Sequence, residues 1–279
     1  MSFYLNFTPP SLGIDLKLKE MGFGHYRILN KFLINNNNFH ITEYFDKILL
    51  DCLEEKDAIT SLSNFDKFCG LFLLRCACIS PEIEFNVGPS PKKALLLPLL
   101  KKSLDAKTTF SKKVVINEDI EISITLPKIL YFETQFDALY DSIDEVFFKD
   151  KKVIFNNKKE LIDTLPAHVL THLKDFSKQV EKDFNPIVLD VGINEKDKFS
   201  LSPYNLSLLE ILKALYSTNL KSIIELQYIL VSKCRYSADY IDKNTLAENL
   251  IIANIYEAEM KRINEEQNKA MEKPGLGNK

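Results

Sequence analysis

The stretch from Tyr44 to Cys78, YFDKILLDCLEEKDAITSLSNFDKFCGLFLLRCAC, restricts the fold more than any other part of the chain. It reads as two helices joined by a short acidic loop. Phe45, Ile48, Leu49, Cys52 and Leu53 recur at helical spacing and share one face of the first. Thr42 is its expected N-cap, with Glu43 in the first turn where the helix dipole favours an anion. The second helix opens at Ser63-Asn-Phe-Asp66, a capping box of the S-x-x-D form. Phe65, Phe68, Cys69, Phe72, Leu73 and Cys76 then mark one face, while Leu71 and Leu74 fill the opposite one. A helix apolar all round must be covered on most sides. Residues 63–76 are therefore expected to be the core helix of the N-terminal half.

A core of that kind needs a chain able to surround it. With 279 residues, 46% hydrophobic and 27% charged, this one has globular composition and enough length for one large or two ordinary domains. The net charge of −3 opposes a nucleic-acid partner, whose footprint is a basic patch. No apolar run approaches the roughly 20 residues that span a bilayer. The start, MSFYLNFTPP, lacks the pattern of a secretion signal. Five cysteines without framework spacing read as reduced, buried thiols.

Along the chain, Phe3–Phe7 and the alternation at Ile14, Leu16 and Leu18 predict two short strands. Tyr26, Leu29, Phe32 and Leu33 begin a helix, and the polar run Asn35–Asn38 predicts a loop. Ile83, Phe85 and Val87 alternate as a strand before the turn Gly88-Pro-Ser-Pro91. Lys92–Leu104 predicts a buried loop or a helix bent at Pro98. Val114–Ile116 and Ile120–Leu126 flank Asn117-Glu-Asp119 as a hairpin, with Ile120, Ile122, Ile124 and Leu126 inward. From Ile129, the spacing of Phe132, Phe136, Leu139, Tyr140, Ile143 and Phe147 predicts one amphipathic helix. A charged turn at 149–152, a strand at 153–155, a helix through Val169 to Val180 and a strand at 187–193 follow. Leu208–Tyr216 predicts another helix, and Leu220–Cys234, apolar on nearly all sides, predicts a second buried one. Thr245-Leu-Ala-Glu248 is a capping box opening a helix that grows polar. The expected class is α+β, predominantly helical with small antiparallel strand groups. It divides into an N-terminal α+β half, 1–128, and a mainly helical half, 129–279, ending in a polar tail, 264–279, expected to fray.

No pattern carries chemistry. His168 and His172 stand four apart, but Val169 occupies the place of the Glu that a zinc-protease motif requires, so a solvated or half-buried pair is expected. Cys76 and Cys78 lack a second pair for zinc and a partner His for nucleophilic work. Gly22-Phe-Gly24 is a turn rather than a dinucleotide loop, and Asp190, Gly192, Asn194 and Asp197 do not follow the order of a calcium loop. Lysines around the apolar run at 92–104 allow a membrane-surface reading, but a polar face is missing. Arg75, the one charge between Phe68 and Pro81, is expected to be structural: a cation favoured at a helix C-terminus that also needs an acceptor, for which a carboxylate in the same core would serve. Catalytic, cofactor and metal residues are thus expected to be none.

The order of these features resembles the baseplate hub and hub-assembly proteins of T-even-type contractile-tailed bacteriophages. The resemblance is carried by Met21-Gly-Phe-Gly-His-Tyr-Arg-Ile-Leu-Asn-Lys31 and by Ser63-Asn-Phe-Asp-Lys-Phe-Cys-Gly-Leu-Phe-Leu-Leu-Arg75 with Glu82-Ile-Glu-Phe85. Ile120-Glu-Ile-Ser-Ile-Thr-Leu-Pro127, Asp163-Thr-Leu-Pro166, Leu208–Tyr228 and the Thr245-Leu-Ala-Glu248 helix continue it. The CxxC pairs of some relatives are missing, so no metal site is carried over. The resemblance implies a non-enzymatic tail protein, a hub component or assembly chaperone. Its implied partners are other baseplate hub proteins and the tape-measure protein. Its implied location is the host cytoplasm during assembly and the virion baseplate. The rival readings are a tail-associated cell-wall hydrolase and a peripheral membrane protein using residues 92–104.

Overall fold

The computed structural model describes residues 3–87, 90–96, 98, 111–149, 151–154, 167–184, 188–190 and 198–272. Strands β1 (Tyr4–Phe7) and β2 (Leu16–Lys19) pair antiparallel. Helices α1 (Phe23–Asn35), α2 (Asn38–Cys52) and α3 (Asn64–Cys78) follow, with a 3-10 turn at Lys56–Thr60 before α3. Next come the hairpin β3 (Glu82–Val87) and β4 (Ser90–Leu95), then β5 (Ser111–Val115) and β6 (Ile120–Thr125). Helix α4 (Gln135–Ser142) leads into β7 (Ile143–Phe148) and β8 (Lys151–Val153). The remainder is α5 (Ala167–Phe184), the hairpin β9 (Val188–Asp190) and β10 (Lys198–Ser200), and α6 (Ser207–Tyr216). Last are α7 (Leu220–Tyr228) with a π-helical turn at Ile229–Lys233, α8 (Ala238–Lys243) and α9 (Leu246–Glu272). Helices dominate, and β5-β6-β7-β8 form a four-stranded antiparallel sheet. The class is α+β.

Helix α3 is the centre. Its capping box is complete, with Ser63 Oγ accepting from Asp66 N and the Asp66 carboxylate accepting from Ser63 N at 2.9 Å. Buried Asp66 also accepts from Ser11 N at 2.9 Å and from Ser11 Oγ, which pins the turn after β1 to the start of the helix. Phe65, Phe68 and Phe72 are fully covered. Gly70 lets α2 and β1 close in, because a Cβ there would lie 3.2 Å from Leu49 and 3.3 Å from the Phe7 ring. On another side α3 meets α6: Tyr216 Oη donates to Leu71 O at 2.6 Å, and the ring of Phe45 meets Tyr216 edge-on at 5.3 Å. Arg75 donates to two backbone carbonyls, Leu215 O at 3.1 Å and Ser80 O. Its acceptors are main-chain carbonyls rather than a core carboxylate; the C-terminus of α6 leaves such a carbonyl free at Leu215.

Three expectations about helix ends need correction. The polar run Asn35–Asn38 is a helix joint rather than a loop: Asn36 takes a left-handed φ of 49° to end α1. Asn37, not Thr42, caps α2, its side chain accepting from His40 N. Asparagine suits both positions, since its short amide tolerates the left-handed region and caps helix amides. Gly22-Phe-Gly24 likewise opens α1, Gly22 being its N-cap residue.

The single helix predicted from Ile129 to Phe147 is a short helix followed by a strand. Thr134 and Asp137 form a capping box, and α4 gives way to β7 at Ile143. Ile143 and Val146 are both buried although three apart, a spacing no regular strand allows on one face. The ladder with β6 shifts register between Ser123 and Ile124, and that irregularity turns both side chains inward. A bulged strand here imitates helical periodicity.

Part of the 92–104 segment is a strand: β4 pairs Lys93 with Glu84 and Lys92 with Phe85, and Leu96 beyond it is buried. Residues 97 and 99–104 lie outside the described residues, as do Gly88, Asp163-Thr-Leu-Pro166 and Gly192–Asp197.

Residues 220–234 are not the second buried helix. Ile223, Leu226 and Leu230 are covered, but Ile224 is 55%, Tyr228 59% and Val231 40% exposed. At the other end, α9 runs to Glu272, so residues 264–272 are helical where composition predicts fraying; 273–279 lie outside the described residues. Good helix formers and an i,i+4 contact from Arg262 to Glu266 carry it.

Candidate partner-binding surface

The residues singled out for chemistry stay apart. His172 is exposed on α5, the helix that also carries His168, whose side chain lies outside the described residues. Among the described residues no group of three or more His, Cys, Asp or Glu is placed to hold a metal. Cys52, Cys69, Cys76 and Cys78 are buried. Burial pushes the thiols of Cys52 and Cys78 up to about 12 and that of Cys76 up to about 11, the opposite of an activated nucleophile. Cys78 Sγ accepts from Met21 N at 3.1 Å.

One polar relay was not legible in the sequence. His25 on α1 faces Tyr44 Oη at 3.3 Å through Nδ1 and Asp51 at 3.5 Å through Nε2, and Lys47 holds Asp51 at 2.6 Å. The order resembles a catalytic relay, but desolvation pushes the Tyr44 hydroxyl up to about 12, with the Asp51 charge adding to it. Tyr44 is held neutral and buried, so the relay ties α1 to α2. A cleft of about 320 Å³ between the Ser11 turn, Ser63 and β6 is lined by hydroxyls, with Lys128 and Asp144 at its edge. The Oγ atoms of Ser11 and Ser63 already donate to Asp66.

The C-terminal helices present a different kind of surface. Helix α8 is clamped to the start of α1: Phe23 N donates to Asn244 O at 2.6 Å and Arg27 pairs with Asp242 at 2.8 Å. Gly22 makes the approach possible, because a Cβ there would sit 2.4 Å from Asp242 O. Thr245 and Glu248 cap α9, and buried Asn249 donates to Ile241 O at 2.9 Å. These contacts seat one face of α9 through Asn249 and Ala253.

The other faces stay open. Ile224, Tyr228 and Val231 form a stripe on α7 and the π-turn, and Ile251 and Ile255 stand 58% and 63% exposed on α9. Tyr236 and Tyr240 stack with ring centroids 5.0 Å apart. A groove of about 340 Å³ runs between Lys233, Cys234 and Tyr236 on one wall and Ile252, Ile255 and Tyr256 on the other. Contiguous exposed apolar surface of this kind marks binding sites. The signal was in the sequence, since Leu220–Cys234 is apolar all round; composition alone does not distinguish a core helix from a docking helix.

No described helix is long and apolar enough to cross a membrane. No curated protein and no solved structure matches the chain. A family model described as T4 bacteriophage base plate protein matches residues 2–197, which take in β1 through β9. That span takes in α3 and the elements from β1 to α5 and exceeds half of the 279 residues, so the chain belongs to the T4 bacteriophage base plate protein family.

Proposed function

We propose that this baseplate protein is a non-enzymatic hub component or hub-assembly chaperone that works by binding other proteins. The observation that carries the reading is the family match over residues 2–197. The open apolar surface on α7, α8 and α9 supports it, because protein partners cover surfaces of that kind. Other baseplate hub proteins and the tape-measure protein are the partners assigned, with assembly in the host cytoplasm and residence in the tail baseplate. Within this reading the N-terminal half, 1–128, and the C-terminal half, 129–279, act as one platform joined through α3 and α6. It assigns no catalytic, cofactor or metal residue.

Affinity purification of the tagged full-length chain from infected cells tests it. Enrichment of baseplate proteins over an untagged control is expected. A chain that brings down none of them, or that releases fragments from peptidoglycan, contradicts the reading. Mass spectrometry of purified virions separates a resident component from a chaperone.

A further inference from the structure

Resting on the protein-binding reading just given, we infer that the groove on α9 receives an amphipathic helix of a different protein, one whose apolar stripe is flanked by lysine or arginine. The apolar line that borders the groove at Ile252 and Tyr256 continues along α9 through Met260 and Ile263, and polar Gln267 ends it. From Ile252 the steps are four, four and three residues, the narrow seam that a second helix covers and a sheet or flat surface does not. Met260 is exposed and Ile263 half-buried, and neither belongs to the buried core. From Ile252 to Ile263 the seam is about 16 Å long, some three helical turns.

Charge selects the occupant. Positions flanking the seam carry Glu259 and Glu266 on one side and Glu257 and Asn264 on the other, all exposed. Lys261, Arg262 and Lys269 fall on the outer side of the helix. Arg262 reaches Glu266 from there at 4.0 Å, an exposed pair that screens little. A second copy of the chain is a poor occupant. Antiparallel pairing would set Glu259 against Glu266, and parallel pairing would set Glu259 against Asn264, with no opposite charges meeting in either. A helix with basic flanks meets the three glutamates and also covers the apolar line. The groove lies beyond residue 197, where the family match ends, so this partner belongs to the chain's own C-terminal helices.

The test uses the full-length chain and three fluorescent peptides of about 21 residues, three heptads each. One has leucine at the seam and lysine at the flanks. A second replaces the flanking lysines with glutamate, and a third scrambles the first. Binding of the lysine-flanked peptide is expected to be roughly tenfold tighter than that of either other peptide. Glu259→Lys with Glu266→Lys should invert the preference between the first two. Met260→Ser with Ile263→Ser should abolish binding while circular dichroism and Tm stay unchanged. Equal binding of the lysine-flanked and scrambled peptides overturns the inference, as does binding that survives the serine variant. A dimer seen by light scattering and lost in the serine variant makes the second copy the occupant and overturns it too. Baseplate proteins that still co-purify with the serine variant leave the protein-binding reading intact and show that this groove is not where they bind.

Discussion

Phe72 and His25 illustrate how single side chains hold this molecule. Phe72 has no exposed surface, with Phe68 at 5.7 Å and the rest of the core around it. Truncation to alanine leaves a cavity that a closely packed centre cannot refill, so Phe72→Ala should cost about 3–5 kcal/mol in a denaturant titration. His25 is held below its ordinary value of 6.5, chiefly by burial, which outweighs the pull of Asp51; Lys47 adds to the lowering. The folded state therefore prefers the neutral ring. Its contribution is present in full above about pH 6.5 and is lost as the pH falls below that towards the depressed folded value. Wild type should lose stability between pH 7 and 5 more steeply than His25→Gln, measured by urea midpoint at each pH. The cysteines add a chemical readout. Cys52, Cys69, Cys76 and Cys78 are buried and their thiols are all pushed up, whereas Cys234 is partly exposed. Iodoacetamide at pH 8 should modify Cys234 first and reach the others only on unfolding.

Among the elements, α3 was legible from end to end, because a capping box followed by an all-apolar run has few other solutions. The β5–β6 hairpin was legible for a similar reason: Ile122, Ile124 and Leu126 alternate with polar residues and all three are buried. Two failures share a physical cause. Ile143 and Val146 have helical spacing because the ladder between β6 and β7 is irregular, and the partner strand decides that, not the local sequence. Leu220–Cys234 carries apolar residues on nearly all sides because one side packs inward at Ile223, Leu226 and Leu230 and another is left open at Ile224, Tyr228 and Val231. The two sides make opposite predictions. Ile224→Ser should change stability by no more than about 0.5 kcal/mol. Leu230→Ala, whose side chain is fully covered, should cost about 2–5 kcal/mol. Gly22→Ala tests the clamp between α1 and α8. A Cβ placed 2.4 Å from Asp242 O forces main chain apart, so a loss of about 1–3 kcal/mol is expected, with little further loss when Arg27→Ala is added.

Two apolar concentrations matter to the whole molecule. One is the core around α3, which residues of the family-matched stretch build together with α6; the other is the open face of α7, α8 and α9, beyond that stretch. The surplus on that open face is what the sequence pattern mistook for a second core. Removing residues 264–279 takes away helix that is exposed over 264–269 and should leave Tm unchanged within about 1 °C, since surface changes of that kind touch no buried contact. A large fall in Tm would mean that the end of α9 supports the body. Loss of the chain altogether tests the assembly role most directly. When its reading frame is interrupted in a phage that carries it, electron microscopy of infected-cell lysates should show tails missing or baseplates incomplete, restored by the chain supplied in trans. Contractile tails with complete baseplates, formed in normal numbers without it, would contradict a role in building the baseplate.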